Sequence, residues 1–207
     1  MMDNGVYLIF DPATGDAAVV DPAMESERVW DVVQTGGLTL KYVLNTHGHF
    51  DHTFNNAFFL ERSNALLLIH EADLFLLEQM AQSGQRWGMP VTPSPRPDGY
   101  LQDGQIITLG EDTTIEVRHT PGHTPGSVSF VIARGVVAGD TLFAGSIGRF
   151  DGPGSSGRVL IAAVTSKLFP LPDETVVYPG HGDTTTIGRE KRTNRFFQAG
   201  AERYITH

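Results

Sequence analysis

The chain has no cysteine. Disulfides, thiolate metal ligands and a cysteine nucleophile are therefore excluded together, which accords with a cytoplasmic setting. Also missing is any apolar run near the roughly 20 residues that a membrane span needs. The opening Met1-Met2-Asp3-Asn4-Gly5 lacks the basic region of a secretory signal. Positive charge is scarce: 15 Lys and Arg face 24 Asp and Glu, a formal net charge of −9. That balance argues against a nucleic-acid partner, which requires a basic face, and against long-range steering of anions by the protein as a whole. The 207 residues show neither a repeat nor a low-complexity linker, so residues 1–207 read as one domain with room for a sizeable core.

What the chain does have is histidine in dense order. Thr46-His47-Gly48-His49-Phe50-Asp51-His52-Thr53 places three imidazoles and a carboxylate within six positions, a pattern that packing a core does not require. His123 in Thr120-Pro121-Gly122-His123-Thr124, Asp140 in Gly139-Asp140-Thr141 and His181 in Pro179-Gly180-His181-Gly182 extend it. Each stands beside glycine or proline at the end of an apolar run, where strands present side chains to a common site. Nitrogen and oxygen ligands of this kind suit zinc, and also iron or manganese. Their number is enough for two divalent ions and a bridging water, although spacing alone does not say how they divide.

Hydrophobic patterning gives the framework. Residues 6–10 and 17–20 read as a hairpin across a Pro- and Gly-containing turn. Val29, Val32 and Val33 mark a helix over 25–35 that Gly36-Gly37 ends. A strand over 39–45 leads into the histidine motif, a helix covers 53–62, a buried strand 66–69 and a helix 71–82. Residues 83–100 break the pattern with Pro90, Pro93, Pro95 and Pro97 around Trp87, Met89 and Tyr100. A loop of that length reads either as a lid or as an exposed connection. Strands are expected at 105–109, 113–119, 127–132, 135–139 and 175–178, with helices at 158–168 and from 188 onward. Two sets of strands separated by helices fit two packed sheets with helices outside.

The motif set resembles that of the metallo-β-lactamase fold hydrolases: His-x-His-x-Asp-His, then separate His, Asp and His, from His47 to His181. Gly139-Asp140-Thr141-Leu142-Phe143-Ala144-Gly145-Ser146-Ile147-Gly148-Arg149 is similar to the short glyoxalase II branch, the hydroxyacylglutathione hydrolase-like proteins. So are Tyr178-Pro179-Gly180-His181-Gly182, Thr185-Thr186-Ile187-Gly188 and Arg192-Thr193-Asn194. The resemblance implies an α/β fold, a four-layer αββα sandwich. It assigns His47, His49 and His123 to one metal ion, and Asp51, His52 and His181 to a second. Asp140 and a hydroxide bridge the two. Asp140 occupies the position where some relatives place a cysteine ligand.

The implied activity is hydrolysis of an S-acyl thiol such as S-D-lactoylglutathione. Two divalent ions lower the pKa of bound water to roughly 7 and polarise a carbonyl. A leaving thiol with a pKa of about 8.5 needs little acid assistance. Asp51 is the candidate proton acceptor. Arg149 and Asp151 stand where larger glyoxalase II enzymes carry a lysine and a tyrosine, and are candidate substrate contacts; their other reading is a surface ion pair. The larger enzymes also carry a C-terminal helical region with glutathione contacts, and the family places another strand ahead of the segment that starts here at Asn4. Two other activities stay open. One is a mononuclear iron persulfide dioxygenase using His47, His123 and Asp140. The other is a lactonase or small-ester hydrolase. Asp21, in Val19-Val20-Asp21-Pro22, either orients a histidine or begins a turn. His70, His119 and His207 read as non-ligands.

Overall fold

Extended backbone sends successive side chains to opposite faces, and Ala17-Ala18-Val19-Val20 uses both. In the computed structural model, which describes residues 3–86 and 88–205, Ala18 and Val20 enter one buried cluster while Ala17 and Val19 enter another. The first sheet runs in the order β1 (Tyr7–Phe10), β2 (Asp16–Val20), β3 (Thr39–Leu44), β4 (Leu66–Ile69) and β5 (Gly99–Tyr100). β1 and β2 form the expected antiparallel hairpin, and the other pairs are parallel. Parallel pairing needs crossovers. These carry α1 (Glu27–Thr35), then α2 (Phe50–Thr53) and α3 (Asn56–Leu60), then α4 (Leu74–Glu78) and α5 (Met80–Arg86).

The second sheet holds β6 (Ile106–Leu109), β7 (Thr113–His119), β8 (Val128–Ile132) and β9 (Gly135–Gly139) as an antiparallel meander. After a separate hairpin of β10 (Leu142–Phe143) and β11 (Ser146–Ile147), β12 (Val176–Pro179) joins β9 in parallel and β13 (Thr185–Thr186) completes the edge. Between the sheets Ile9, Ala18, Val20 and Leu44 meet Leu109, Ile115, Val117, Val128, Phe130 and Val137. Outside the first sheet, Val33 of α1 and Phe59 of α3 cover Ala17, Val19, Val43 and Leu67. Outside the second, α6 (Gly157–Ala163) and α7 (Ile187–Thr193) bring Leu160 and Ile187 onto Val136, Ala138 and Val177. The layers are thus helix, sheet, sheet, helix, as expected. Each fully buried Val, Leu or Phe contributes roughly 1.5–3 kcal/mol.

The structure differs from the periodicity where side chains are drawn elsewhere. The helix expected over 53–62 is two short ones, because the Asn55 amide donates to Ala23 O and Ser26 Oγ at 3.0 Å each. The helix expected over 71–82 is a 3-10 turn at Glu71–Asp73 followed by α4 and α5. α5 runs to Arg86, so the loop expected over 83–100 starts as helix and ends as β5. The proline stretch between them folds back onto the first sheet. Ser94 Oγ accepts from Asn56 at 2.9 Å, and Asp98 exchanges two hydrogen bonds with the Leu67 backbone at 2.8 and 2.9 Å. Trp87 and His207 lie outside the described residues. α6 continues as a π-turn over Val164–Leu168, and α7 gives way to 3-10 turns at Arg195–Phe197 and Ala201–Tyr204. No helix among the described residues is long and apolar enough to cross a membrane.

Candidate metal centre

β2, β3, β7, β9 and β12 all point their C-terminal ends at one edge of the sandwich. The segments that leave them carry Asp21, Thr46 to His52, His123, Asp140 and His181 respectively. The seven histidines and aspartates singled out in the sequence come together there. His47, His49 and His123 can each offer a ring nitrogen within 4.8 Å of the others, and Asp51, His52 and His181 form a second such group. His49 Nδ1 lies 2.9 Å from His123 Nε2. His181 Nε2 lies 3.2 Å from His52 Nε2 and 3.5 Å from Asp51 Oδ2. Asp140 stands between the groups: Oδ1 is 3.4 Å from His52 Nε2, and Oδ2 is 3.5 Å from His123 Nε2 and 3.6 Å from His181 Nε2.

Hydrogen bonds behind the rings fix which nitrogen faces the cluster. Thr46 Oγ1 gives its one proton to Asp21 Oδ2 at 2.6 Å, so towards His47 Nδ1, 3.0 Å away, it acts as acceptor. His47 therefore carries its proton on Nδ1 and keeps a lone pair on Nε2. His52 Nδ1 donates to Asp21 Oδ2 at 3.0 Å, and His123 Nδ1 donates to the Arg149 carbonyl at 2.8 Å. Both thereby turn Nε2 towards the cluster, the arrangement found behind metal-binding histidines. Asp21 thus orients rings rather than merely starting a turn. Its carboxylate also takes the Thr46 amide at 2.7 Å. Although it lies close to His47 and His52, these three donors commit it to holding them.

Buried polar atoms without partners are rare in folded proteins and signal a missing ion or water. Among the described residues, two buried side-chain atoms have none: His47 Nε2 and Asp140 Oδ1. One belongs to the first histidine group and the other to the aspartate between the groups. The donor set fits divalent cations, and these His and Asp groups are able to bind metal ions. The electrostatics agree. Burial, and then neighbouring histidines, hold His47 well below its usual range. Burial chiefly takes His49 down to about 4 and His123 to about 3. These rings stay neutral, as ligands must. On the other side the sign is opposite: burial opposes charge on His52, but Asp140, Asp21 and Asp51 outweigh it and push it up to about 10, so without an ion this ring holds a second proton that a cation bound there would displace. His181 is raised by its hydrogen bond to Asp51. Asp51 resists its own burial and lies well below the carboxylate range because His181, His52 and Asn4 surround it. Burial raises Asp140.

The cluster floors a cavity of about 570 Å³, walled by Phe50, Phe143 and Ile147 and by Arg86, Arg149 and Asp151. That volume suits a small molecule. Arg149 and Asp151 face this cavity and also pair with each other, Arg149 Nε to Asp151 Oδ1 at 3.0 Å. The ion pair of the second sequence reading is therefore present, on the wall of the cavity. Of the described residues in the stretch 83–100, Ser83 and Arg86 of α5 line the cavity and residues 88–98 do not. His70 and His119 stack on each other with ring centroids 4.2 Å apart and are not in the cluster. Sequence reasoning missed Asn4, whose amide donates to Asp51 Oδ2 at 3.1 Å and approaches His52 Nε2 at 3.3 Å. It also missed Thr46 and Asp73. Asp73 lies inside the helix expected over 71–82, where nothing in the spacing sets it apart.

The pattern of the Metallo-beta-lactamase superfamily matches residues 5–181. Hydroxyacylglutathione hydrolase GloC of Haemophilus influenzae is 39% identical over 189 residues, covering 89% of this chain and 88% of its own. Among solved structures, TTHA1623 in a di-iron-bound form is 37% identical with a TM-score of 0.84, covering 93% of this chain and 94% of that one. BLEG-1 B3 metallo-beta-lactamase is 32% identical with a TM-score of 0.86, covering 96% and 98%. ETHE1 from Myxococcus xanthus is 30% identical with a TM-score of 0.79, covering 99% and 84%.

Proposed function

The chain belongs to the metallo-beta-lactamase superfamily, and within it we propose a dinuclear metal-dependent hydrolase of S-acyl thiols of the S-D-lactoylglutathione kind. His47, His49 and His123 would hold one ion, Asp51, His52 and His181 the other, with Asp140 shared. The observation that carries this reading is the pair of three-residue groups, each with ligand atoms within 4.8 Å, and Asp140 reaching into both. A single-iron site would employ His47, His123 and Asp140 and leave the convergence of Asp51, His52 and His181 without a purpose. The similarity to GloC favours the thioester, and the di-iron form of TTHA1623 supports two ions. Zinc is the proposed metal; the all-nitrogen-and-oxygen donor set serves iron and manganese as well.

When bound, such ions supply a water acidic enough to act as nucleophile near neutral pH and a Lewis acid for the substrate carbonyl. The protein supplies the rest. Asp51 accepts the proton of the attacking water, weakly, given its low pKa. The acyl carbon gains a C–O bond and loses its C–S bond. The departing thiolate is stable enough to need no general acid. Arg149 and Arg86 are the cations on the cavity wall, placed for an anionic thiol such as glutathione. Asp151 competes for Arg149, but an exposed ion pair is worth only about 0–1 kcal/mol and can exchange its partner for substrate. The charge of −9 keeps nucleic acid off the list of partners. We read residues 1–207 as one cytoplasmic domain that acts on a small molecule, without a nucleic-acid or membrane partner.

The test is elemental analysis of protein purified without added metal, paired with thiol release from S-D-lactoylglutathione on the same sample. A homoserine lactone, a β-lactam and glutathione persulfide serve as comparators. The expected result is two ions per chain with the thioester turned over best. One iron per chain with oxygen uptake on the persulfide and no thiol release overturns the proposal. Preference for the lactone or the β-lactam keeps the centre but replaces the substrate.

A further inference from the structure

Asp73 has no exposed surface and belongs to neither group of candidate ligands. It sits in the 3-10 turn between β4 and α4. Its carboxylate nevertheless joins the two segments that carry the first histidine group. Oδ2 accepts the Gly48 amide at 2.9 Å and Thr124 Oγ1 at 2.7 Å, and Oδ1 accepts the Gly126 amide at 2.7 Å. Gly48 separates His47 from His49, and Thr124 follows His123. Two of the three bonds therefore start next to a histidine of that group, and the third starts three residues after His123. Thr124 has spent its proton on Asp73, so the Ser127 hydroxyl, 2.7 Å away, donates to Thr124 and braces the second segment in turn.

The fit leaves no slack. A Cβ on Gly48 would stand 2.8 Å from Leu76 Cβ and 2.9 Å from Asp73 O, and one on Gly126 would stand 2.7 Å from Asp73 Cγ. Both segments close directly on Asp73, with glycine at each point where their backbone amides reach its carboxylate. No corresponding bond runs from Asp73 to Asp51, His52 or His181. Asp51 and His52 are held by Asn4 and Asp21 instead, and His181 pairs with Asn4 through a backbone bridge.

We propose that Asp73 is a positioning residue for one half of the centre. It sets the spacing between the His47–His49 turn and the His123 segment, and so governs metal affinity at the His47, His49 and His123 group alone. This rests on the dinuclear reading above. Removing an outer partner of a metal ligand typically weakens binding by about 10- to 100-fold. An amide at Asp73 cannot accept from both segments with both its atoms, so one N–H loses its partner while the shape is kept.

The experiment is a cobalt(II) titration of the metal-free full-length protein, followed by absorption spectroscopy, for wild type, Asp73→Asn, Thr124→Val and Asp11→Asn. Asp11 is another buried carboxylate that accepts backbone amides, from Ala13, Thr14, Asp112 and Thr113 at 2.9–3.1 Å. It does so at the opposite end of β2 and serves as the control for simple destabilisation. The expected result is one of two cobalt sites weakened about 10- to 100-fold in Asp73→Asn. Thr124→Val, which removes a single donor, weakens the same site less. Asp11→Asn lowers thermal stability with both sites intact. Equal weakening of both sites, or wild-type affinity in folded Asp73→Asn, overturns the proposal. Should wild type bind one ion only, the dinuclear reading fails by itself. Asp73 is then judged on that ion, which still needs His47 and His123: a 10-fold or greater loss in Asp73→Asn supports it and no loss overturns it.

Discussion

Asp21→Asn tests the link between backbone geometry and the His52 side of the centre. Asp21 holds φ at +49°, a region that asparagine tolerates nearly as well as aspartate, so the substitution keeps the backbone. It does not keep the hydrogen bonds. The aspartate accepts three: Thr46 N on Oδ1, and Thr46 Oγ1 and His52 Nδ1 on Oδ2. The amide has two ways to sit. With its oxygen towards His52, the NH2 meets the Thr46 amide, donor against donor. With its NH2 towards His52, it forces Nδ1 to accept and moves the ring proton to Nε2, which then faces the cluster and cannot ligate. The first arrangement leaves a buried N–H unpaired, at a cost of about 1–3 kcal/mol. For a chain of this size that lowers the melting temperature of metal-free protein by about 2–12 °C. The second costs the metal side about 10- to 100-fold in affinity. Thermal unfolding after chelation and a cobalt titration measure the two branches on one sample. Wild-type values in both would refute the tautomer argument, because one of the two losses is unavoidable if Asp21 holds His52 as described.

Three further outcomes follow from the same geometry. His49→Ala should reduce thiol release to background with an unchanged far-ultraviolet spectrum. The ring makes no capping bond to α2 and contacts His123 instead, so turnover at wild-type level would remove His49 from the centre. Arg149→Ala should raise KM for an anionic thioester about 5- to 30-fold, the loss of one charge-assisted bond of roughly 1–2 kcal/mol. kcat should barely move, since His123 is held by the backbone oxygen of Arg149; an equal effect on an uncharged thioester would count against a charge contact. Burial raises the Asp11 pKa, but hydrogen bonds from Asp112, Thr14 and Thr113 outweigh it and bring it from 3.8 to about 2. A carboxylate whose pKa falls on folding stabilises above its unfolded pKa. Its contribution is therefore complete above pH 3.8 and is lost as pH falls towards 2. Asp11→Asn should flatten the unfolding free energy across that window, and an unchanged slope would show that the acid sensitivity lies elsewhere.

The strands were legible because their burial is local in origin. Ile115 and Val117 alternate with polar residues in 113–119, and 135–139 holds the short apolar run Val136-Val137-Ala138 of a strand buried on both faces; both appear as β7 and β9 with those bounds. The helices over 53–62 and 71–82 were less legible, because the competing interactions are remote. Asn55 leaves its helix for Ala23 and Ser26, and Asp73 leaves its own for Gly48, Thr124 and Gly126. Apolar spacing carries no trace of such partners. The two-residue strands β5, β10, β11 and β13 are too short for any alternation to register.

The same distinction runs through the centre. Histidines and aspartates that face a common point must supply particular atoms, so their identities and the glycines beside them stand out in the sequence. The residues that aim them need only an acceptor or donor at the right place, which Asp, Asn, Thr or a backbone carbonyl can provide. Asp21, Asn4, Thr46, Asp73 and the Arg149 carbonyl share no motif, and each lies on a different stretch of chain from the ring or turn it holds, except Thr46. Yet they decide which ring nitrogen carries a proton and how far apart the two histidine segments stand. A chain with every ligand in place but Asp21 and Asp73 replaced would keep the motif that first attracts attention and lose tenfold or more in metal affinity. Ligand identity is therefore a necessary condition for this centre, and the buried carboxylates behind the rings and turns supply the geometry that makes it sufficient.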